Sequence, residues 1–326
     1  MRVLSDDDVA AVLSLPELLD VCESAFLADG RGETVRPERP HYPIGAGLDG
    51  PDPLGTGLTM PAYIEGADHV ATKLATVHPE NPDRGLPTIH AQLSLTDART
   101  GEPTALLAAE RLTKARTGCI GGLAARELAT GDEAGRLTVG VLGAGAQARW
   151  QTRAIAAARE VDEVRVYSPS ASRDRCAADL RGRGLDASAV GSPRAAVTDA
   201  HVVVTATTSH DPVFPADALA PGTLVVAIGA YTSEMRELDP GVLERAARVF
   251  ADVPEEVADI GDLQGTGLDA AALVPLSAVL AGEAGRERDD EILVAESVGT
   301  AVLDAAGGAH LYERAVDAGL GTDVSL

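Results

Sequence analysis

Residues 137–156, LTVGVLGAGAQARWQTRAIA, join a short apolar run to a helical one through a turn holding Gly143, Gly145 and Ala148. No other stretch restricts the fold of this chain as much. A glycine-rich turn that follows a strand directly and opens a helix is the context of a dinucleotide-binding βαβ unit. Gly143 permits the tight turn, Gly145 lets backbone approach a pyrophosphate, and Ala148 allows close helix–strand packing. The helix N-terminus then offers N–H groups to the phosphates. The flanking segments agree. From GDEAGRL (131–137) onward, LTVGVLG, EVRVYS, AHVVVTAT, TLVVAIGA and ARVFAD read as strands, and AQARWQTRAIAAARE and SRDRCAADLRGRG as helices. That alternation predicts an α/β fold with a doubly wound parallel sheet of Rossmann type. An NAD-binding chain usually carries Asp or Glu about 20 residues after the turn, for the ribose 2′-hydroxyl. Here the second strand ends in YSPSASR, with Ser168 and Ser170, Arg173 beyond, and no acid. The pattern suits a 2′-phosphate, so NADP(H) is expected over NAD(H).

The chain before residue 129 has another texture. LSDDDVAAVLSLPELLDVCESAFLADGRG reads as two helices, with Ser5 as N-cap and acids in the first turn. A Pro- and Gly-rich stretch, 33–58, suits extended edges and turns. GLTMPAYIEG, HVATKLATVHP and TIHAQLSLTDARTGEPTALL alternate at period two and read as antiparallel strands. AAERLTKARTGCIGGLAARELAT predicts a helix with a break at its glycines, and 289–319 a closing helix that packs back on the first domain. The expected organisation is an N-terminal α+β domain over 1–128, completed by a C-terminal helix at 300–326, around a nucleotide-binding domain over 129–299.

Composition excludes several functions. The net charge of −23 argues against nucleic acid and anionic membranes as partners, since both repel it. The 27 basic residues include only two lysines, Lys73 and Lys114. Dispersed acids with almost no lysine suit a high-salt cytoplasm, where salt screens self-repulsion. Three widely spaced cysteines form neither a disulfide framework nor a zinc site. No apolar run approaches the roughly 18–20 residues of a membrane span, and the acidic, amphipathic N-terminus is not a signal peptide. His78 and His90 have no carboxylates at ligand spacing, so no metal is expected. The histidine after the lysine strand is expected on the face opposite Lys73 if that strand continues.

The motifs together resemble the ornithine cyclodeaminase/mu-crystallin family. The resemblance runs through MPAYI (60–64), Lys73, NPDRGLP (81–87), TGEPTALL (100–107), LTKARTG (112–118), VGVLGAGAQA (139–148), IGAYTSEMRELD (228–239) and ESVGTAVLDAA (296–306). It implies a homodimer in which the first domain forms a split barrel with its mate and serves dimerisation and substrate binding. It also implies a substrate carboxylate gripped by Arg39, Lys73 and Arg116, with Arg36 an alternative to Arg39. Thr117, Gly143, Gly145, Ala146, Gln147, Ala148, Ser168, Ser170, Arg173, Gly229 and Gly299 would line the cofactor.

Arginine forks match carboxylates, so this triad suits a small amino or imino acid. Lys73 would also move a proton to or from nitrogen, its pKa lowered toward neutrality by the two arginines. Tyr231 stands where the family's cyclodeaminases resemble one another in carrying aspartate. A phenol is a poor base at neutral pH, so Tyr231 is expected to touch substrate without replacing that acid. Glu234 and Glu237 read as part of a polar loop. The expected activity is a cytoplasmic NAD(P)H-dependent imine reductase, such as a pyrroline-2-carboxylate reductase, or an alanine dehydrogenase. Ornithine cyclodeamination and non-enzymatic ligand binding are the alternatives.

Overall fold

The computed structural model describes residues 1–325, apart from the side chain of Pro82. The chain divides into two compact units, Met1–Arg116 with the segment from Ala301 onward, and Thr117–Thr300. The division falls inside a helix, earlier than the expected 128/129 boundary. Among the described residues no helix is long and apolar enough to cross a membrane.

In the first unit, strand β1 (Arg2–Leu4) leads to α1 (Asp6–Val12) and α2 (Leu15–Gly30). Ser5 and Asp8 form a capping box, each side chain taking the other's backbone N–H. The Pro- and Gly-rich stretch forms two short strands, β2 (Thr34–Val35) and β3 (His41–Ile44), before β4 begins at its end. Strands β4 (Gly55–Ile64), β5 (His69–Val77), β6 (Ile89–Asp97) and β7 (Pro103–Ala108) form an antiparallel run. β5 stops at Val77, so strand alternation does not extend to His78.

Helix α3 (Glu110–Leu128) is continuous, which corrects the expected break at its glycines. These glycines serve packing. A Cβ at Gly118 would press on the Trp150 carbonyl, and one at Gly121 would overlap the Gln151 side-chain oxygen.

The second unit contains β8 (Leu137–Leu142), α4 (Ala146–Ala158), β9 (Val161–Tyr167), α5 (Ser172–Arg181), β10 (Ala187–Ala189), α6 (Pro193–Val197) and β11 (Val202–Thr205). It continues through β12 (Leu224–Ala227), α7 (Pro240–Arg245), β13 (Ala246–Ala251), α8 (Pro254–Val257), β14 (Val274–Pro275), α9 (Leu276–Leu280) and β15 (Ile292–Glu296). The sheet is parallel, in the order β10-β9-β8-β11-β12-β15-β13-β14. The order reverses between β8 and β11, the switch point at which doubly wound sheets bind ligands beyond their strand carboxyl ends.

β15 overturns the reading of 289–319 as one helix. Its residues, ILVAE, are all buried between β12 and β13. The helix proper is α10 (Ala301–Asp317), shorter than the expected 300–326. After it, β16 (Thr322–Asp323) pairs with β1; Leu326 lies outside the described residues. The first unit's sheet thus runs β16-β1-β7-β6-β5-β4-β2, with β3 also on β4. α10 packs against α2, β4 and β5.

Close backbone approach fixes the second unit's first strand. A Cβ at Gly140 would overlap the Ala196 carbonyl oxygen of α6. Gly140→Ala is therefore expected to lower the unfolding free energy by roughly 1–3 kcal/mol. Urea denaturation checks this, and an unchanged midpoint would contradict it.

Candidate active site

Lys73 lies mid-strand in β5, paired across to Met60 on β4 and Leu93 on β6. Side chains alternate along a strand. Lys73 thus shares the inward face of Ala71 and Ala75, and those small neighbours leave it room at 1% exposure. Its partner comes from α10. Asp304 Oδ2 accepts from Lys73 Nζ at 2.5 Å, and Asp304 Oδ1 accepts from Arg116 Nε at 3.0 Å. One helical turn later, a Cβ at Gly308 would overlap the Leu93 side chain, so glycine lets α10 sit this close to the sheet.

Two cations facing one carboxylate leave the cluster positive. Arg116 Nη1 is also buried with no hydrogen-bond partner. A buried donor costs about 1–3 kcal/mol when unpaired, and a small anion would satisfy it. Arg39 is half-buried and its charge depresses the lysine. Burial is the main reason that the Lys73 pKa falls to about 8. Asp304 opposes that fall, while Arg116 and then Arg39 add to it. Burial pushes Asp304 upward, but Arg116 and Lys73 outweigh it and hold the carboxyl below its ordinary value. The sequence had suggested the arginines as the chief cause of the lysine's shift; desolvation exceeds them.

Asp304 escaped the sequence reading. Its signal was present as a lone acid in AVLDAAGGA, on a helix whose neighbouring residues are apolar or glycine. A carboxylate in such a run needs a buried cation.

The candidate nucleotide cradle belongs to the second unit. Gly143 has φ +110, and a Cβ there would overlap the Ala206 carbonyl oxygen. Open space surrounds a Cβ built at Gly145, the N-cap of α4. No side chain caps this helix and no acid occupies its first turn. Gln147 Oε1 is buried without a partner. Ala146 is exposed and Ala148 buried. An open backbone turn, uncapped N–H groups and an orphaned polar atom fit a dinucleotide. Beyond β9, Ser168 and Ser170 each share a hydrogen bond with Ser172, and Arg173 donates to the Ser168 carbonyl at 3.1 Å. The Thr117 carbonyl accepts from Gln151. The Gly229 N–H donates to Glu237, and the Gly299 N–H to Asp252. Tyr231 is 44% exposed. Glu234 is exposed on its loop, whereas Glu237 is fully buried, a correction to the polar-loop reading.

Removing one member of a buried ion cluster costs about 3–5 kcal/mol when the others are left uncompensated. Asp304→Asn strands two cations, whereas Lys73→Met leaves Asp304 paired with Arg116. The first substitution is expected to cost more stability than the second, as read from urea unfolding midpoints.

Known proteins are similar to this chain over nearly its whole length. The model of the ornithine cyclodeaminase/mu-crystallin family matches residues 2–319. A Δ1-pyrroline-2-carboxylate reductase from Bacillus cereus is 32% identical, with 100% of both chains covered. The Thermococcus litoralis Δ1-pyrroline-2-carboxylate reductase, solved with NADH and L-proline, superposes with a TM-score of 0.92 at 30% identity, covering 99% of this chain and 100% of the other. An archaeal alanine dehydrogenase dimer with bound NAD gives a TM-score of 0.90 at 29% identity, covering 100% and 99%. The chain belongs to the ornithine cyclodeaminase/mu-crystallin family.

Proposed function

We propose that this protein reduces a cyclic α-imino carboxylate of the pyrroline-2-carboxylate type to the cyclic amino acid, with Lys73 as proton donor. It is an NAD(P)-dependent oxidoreductase that acts on the C–N bond of a small amino or imino acid. The observation that carries the narrower reading is the buried, net positive Lys73–Asp304–Arg116 cluster with an orphaned guanidinium nitrogen. In this reading the substrate carboxylate takes Arg116 Nη1 and Arg39. A nicotinamide cofactor, held by the turn at Gly143 and Gly145, would supply the hydride that the reduction needs. Lys73 gives its proton to the imine nitrogen, and Asp304 holds the ammonium in place before transfer. Position 231 carries a phenol and no carboxylate, which disfavours ornithine cyclodeamination. The second reading, reductive amination of pyruvate, is supported by the similarity to alanine dehydrogenase.

NADPH is the proposed cofactor, because β9 is followed by Ser168, Pro169 and Ser170 without an acid, and Arg173 in the first turn of α5 reaches back to this loop. The proposed assembly is a homodimer. Val35, Tyr42, Leu48, Leu86 and Ile89 expose apolar surface on the first unit, which suits a partner. The proposed setting is a salt-rich cytoplasm, consistent with the charge of −23.

A spectrophotometric screen at molar KCl separates these readings, with NADPH or NADH offered against pyrroline-2-carboxylate, piperideine-2-carboxylate and pyruvate plus ammonia. Oxidation of NADPH by the cyclic imines is expected to dominate. Ammonia release from ornithine without added oxidant would reverse the assignment.

Lys73→Met should lose about 10²–10⁴-fold in turnover with cofactor affinity nearly unchanged. The pH profile has a definite sign. The acid form of Lys73 donates, so kcat/KM for reduction is expected to fall as pH rises through about 8. Oxidation of the amino acid needs the free amine and should rise across the same range.

A further inference from the structure

The second unit buries acids that the proposed reaction does not use. Glu237, Asp252, Asp262 and Glu296 are all buried. Glu296 ends β15, beside Ala227 at the end of β12 and Ala251 at the end of β13. Asp252 follows β13 directly, and Glu237 reaches the residues after β11 and β12. The group therefore lies at the carboxyl ends of strands beyond the switch point. A dinucleotide laid across that point places its adenosine half over the β8–β9 side and its nicotinamide half over the β11–β12 side.

The hydrogen bonds are specific. Glu237 Oε2 accepts from the Gly229 N–H at 2.7 Å and the Thr205 hydroxyl at 2.8 Å, and Oε1 accepts from the Thr207 N–H at 2.6 Å. Asp252 repeats the arrangement. Its Oδ2 accepts from the Gly299 N–H at 2.8 Å and the Ser297 hydroxyl at 2.6 Å, and its Oδ1 accepts from the Val298 N–H at 3.2 Å. Asp262 in turn takes the backbone N–H groups of Glu237 and Leu238, which fixes the segment carrying Glu237. A Cβ at Gly229 would collide with the Thr207 carbonyl and with Glu237, so the carboxyl fills the space a side chain would need.

We propose that Glu237 and Asp252 are positioning residues for the nicotinamide half of the cofactor, each stapling loop backbone at the carboxyl edge through both of its oxygens. Glu237 joins the loops after β11 and β12, and Asp252 holds the loop after β15. Neither touches the reacting atoms. They act through Thr207, Gly229, Val298 and Gly299, whose loops they set before cofactor arrives.

The residue type follows from the geometry. An ionised carboxylate accepts at both oxygens, whereas an amide accepts at one and donates at the other. Glutamine at 237, in either orientation, sets an NH₂ against a backbone N–H that has no other partner in the arrangement. Asparagine at 252 sets an NH₂ against the N–H of Val298 or of Gly299, both of which Asp252 accepts. Burial supports the arrangement at the neighbouring acid as well. Glu296 is held well above the ordinary carboxyl pKa by desolvation, then by the charges of Asp262, Glu237 and Asp252.

The inference rests on reading the second unit as the NAD(P) domain, and its test separates the two. Calorimetry on the full-length protein measures Kd for NADPH and for adenosine 2′,5′-bisphosphate, which lacks the nicotinamide half. Glu237→Gln and Asp252→Asn should each weaken NADPH by about ten- to a hundred-fold and change the fragment by less than about threefold. Equal loss of both ligands, or no loss of NADPH, overturns the proposal. A second measurement uses the wild-type protein. Hydrogen–deuterium exchange without cofactor should find the amides of Thr207, Gly229 and Gly299 already protected. Free exchange there overturns the proposal even if the variants do not fold. Failure of the wild type to bind NADPH, NADH or the fragment would instead sink the assignment of the domain.

Discussion

Asp304 has to satisfy two cations at once, and the first unit is organised around that requirement. Its partners lie 231 and 188 residues earlier in the chain. The lysine strand and the arginine helix are N-terminal, whereas the carboxylate arrives only after the whole second unit has been traversed. Without α10, Lys73 would be a cation inside an apolar sheet face, and burial of a lone ammonium is far too costly to persist. The docking of α10 and the burial of the lysine are therefore one event. Gly307 and Gly308 on the same helix serve it, since larger residues would press on Leu112 and Leu93. A discontinuous unit with contacts of such sequence separation has a high loop-closure cost in folding.

The chain uses acids in two physically different ways. Most of its 50 acidic residues produce the net charge of −23. A few are withdrawn from water. Asp304 is stabilised by cations, and its charge is kept. Glu237 and Asp252 are held by backbone N–H groups and hydroxyls. Glu296 has neither form of compensation for Oε1, and burial drives it toward the neutral acid. The same side-chain chemistry yields a counter-ion, a backbone staple and a carboxyl pushed toward its neutral form, according to what surrounds it.

Much of this was legible in the sequence where periodicity was strong. The β8 turn, the antiparallel strands and the Ser5 cap follow from local patterns, and each is formed as read. The failures have a common origin in apolar or polar runs whose neighbours mislead. ILVAE precedes an apolar helix without a strong breaker, and short apolar runs do not distinguish buried strand from helix. The glycines of α3 suggested a break, but helix interiors accept glycine where a neighbour comes too close for a Cβ. Glu237 sits in SEMRELD among polar residues, so nothing local marked it as buried. Asp304 was the reverse case, an acid among apolar residues. That anomaly can be detected in sequence, but its partners are set by tertiary contact alone. Lys73 was conspicuous because the chain has almost no lysine.

Arginine at 73 would satisfy the charge requirement of Asp304 equally well and would bind a carboxylate better through its fork. It would not give up a proton, because its pKa stays above the accessible range. A lysine under desolvation and flanked by Arg116 moves to about 8, while Asp304 keeps it from falling further. The counter-ion thus has two effects that oppose each other: it makes the buried ammonium tolerable, and it limits how readily that ammonium releases its proton. A neutral residue at 304 would release the proton more easily but strand two cations. A second carboxylate would hold the proton too tightly and cancel the excess charge that invites an anion. One acid against two cations is the composition that leaves both a titratable amine and an unsatisfied arginine nitrogen, and the proposed reduction needs the two together.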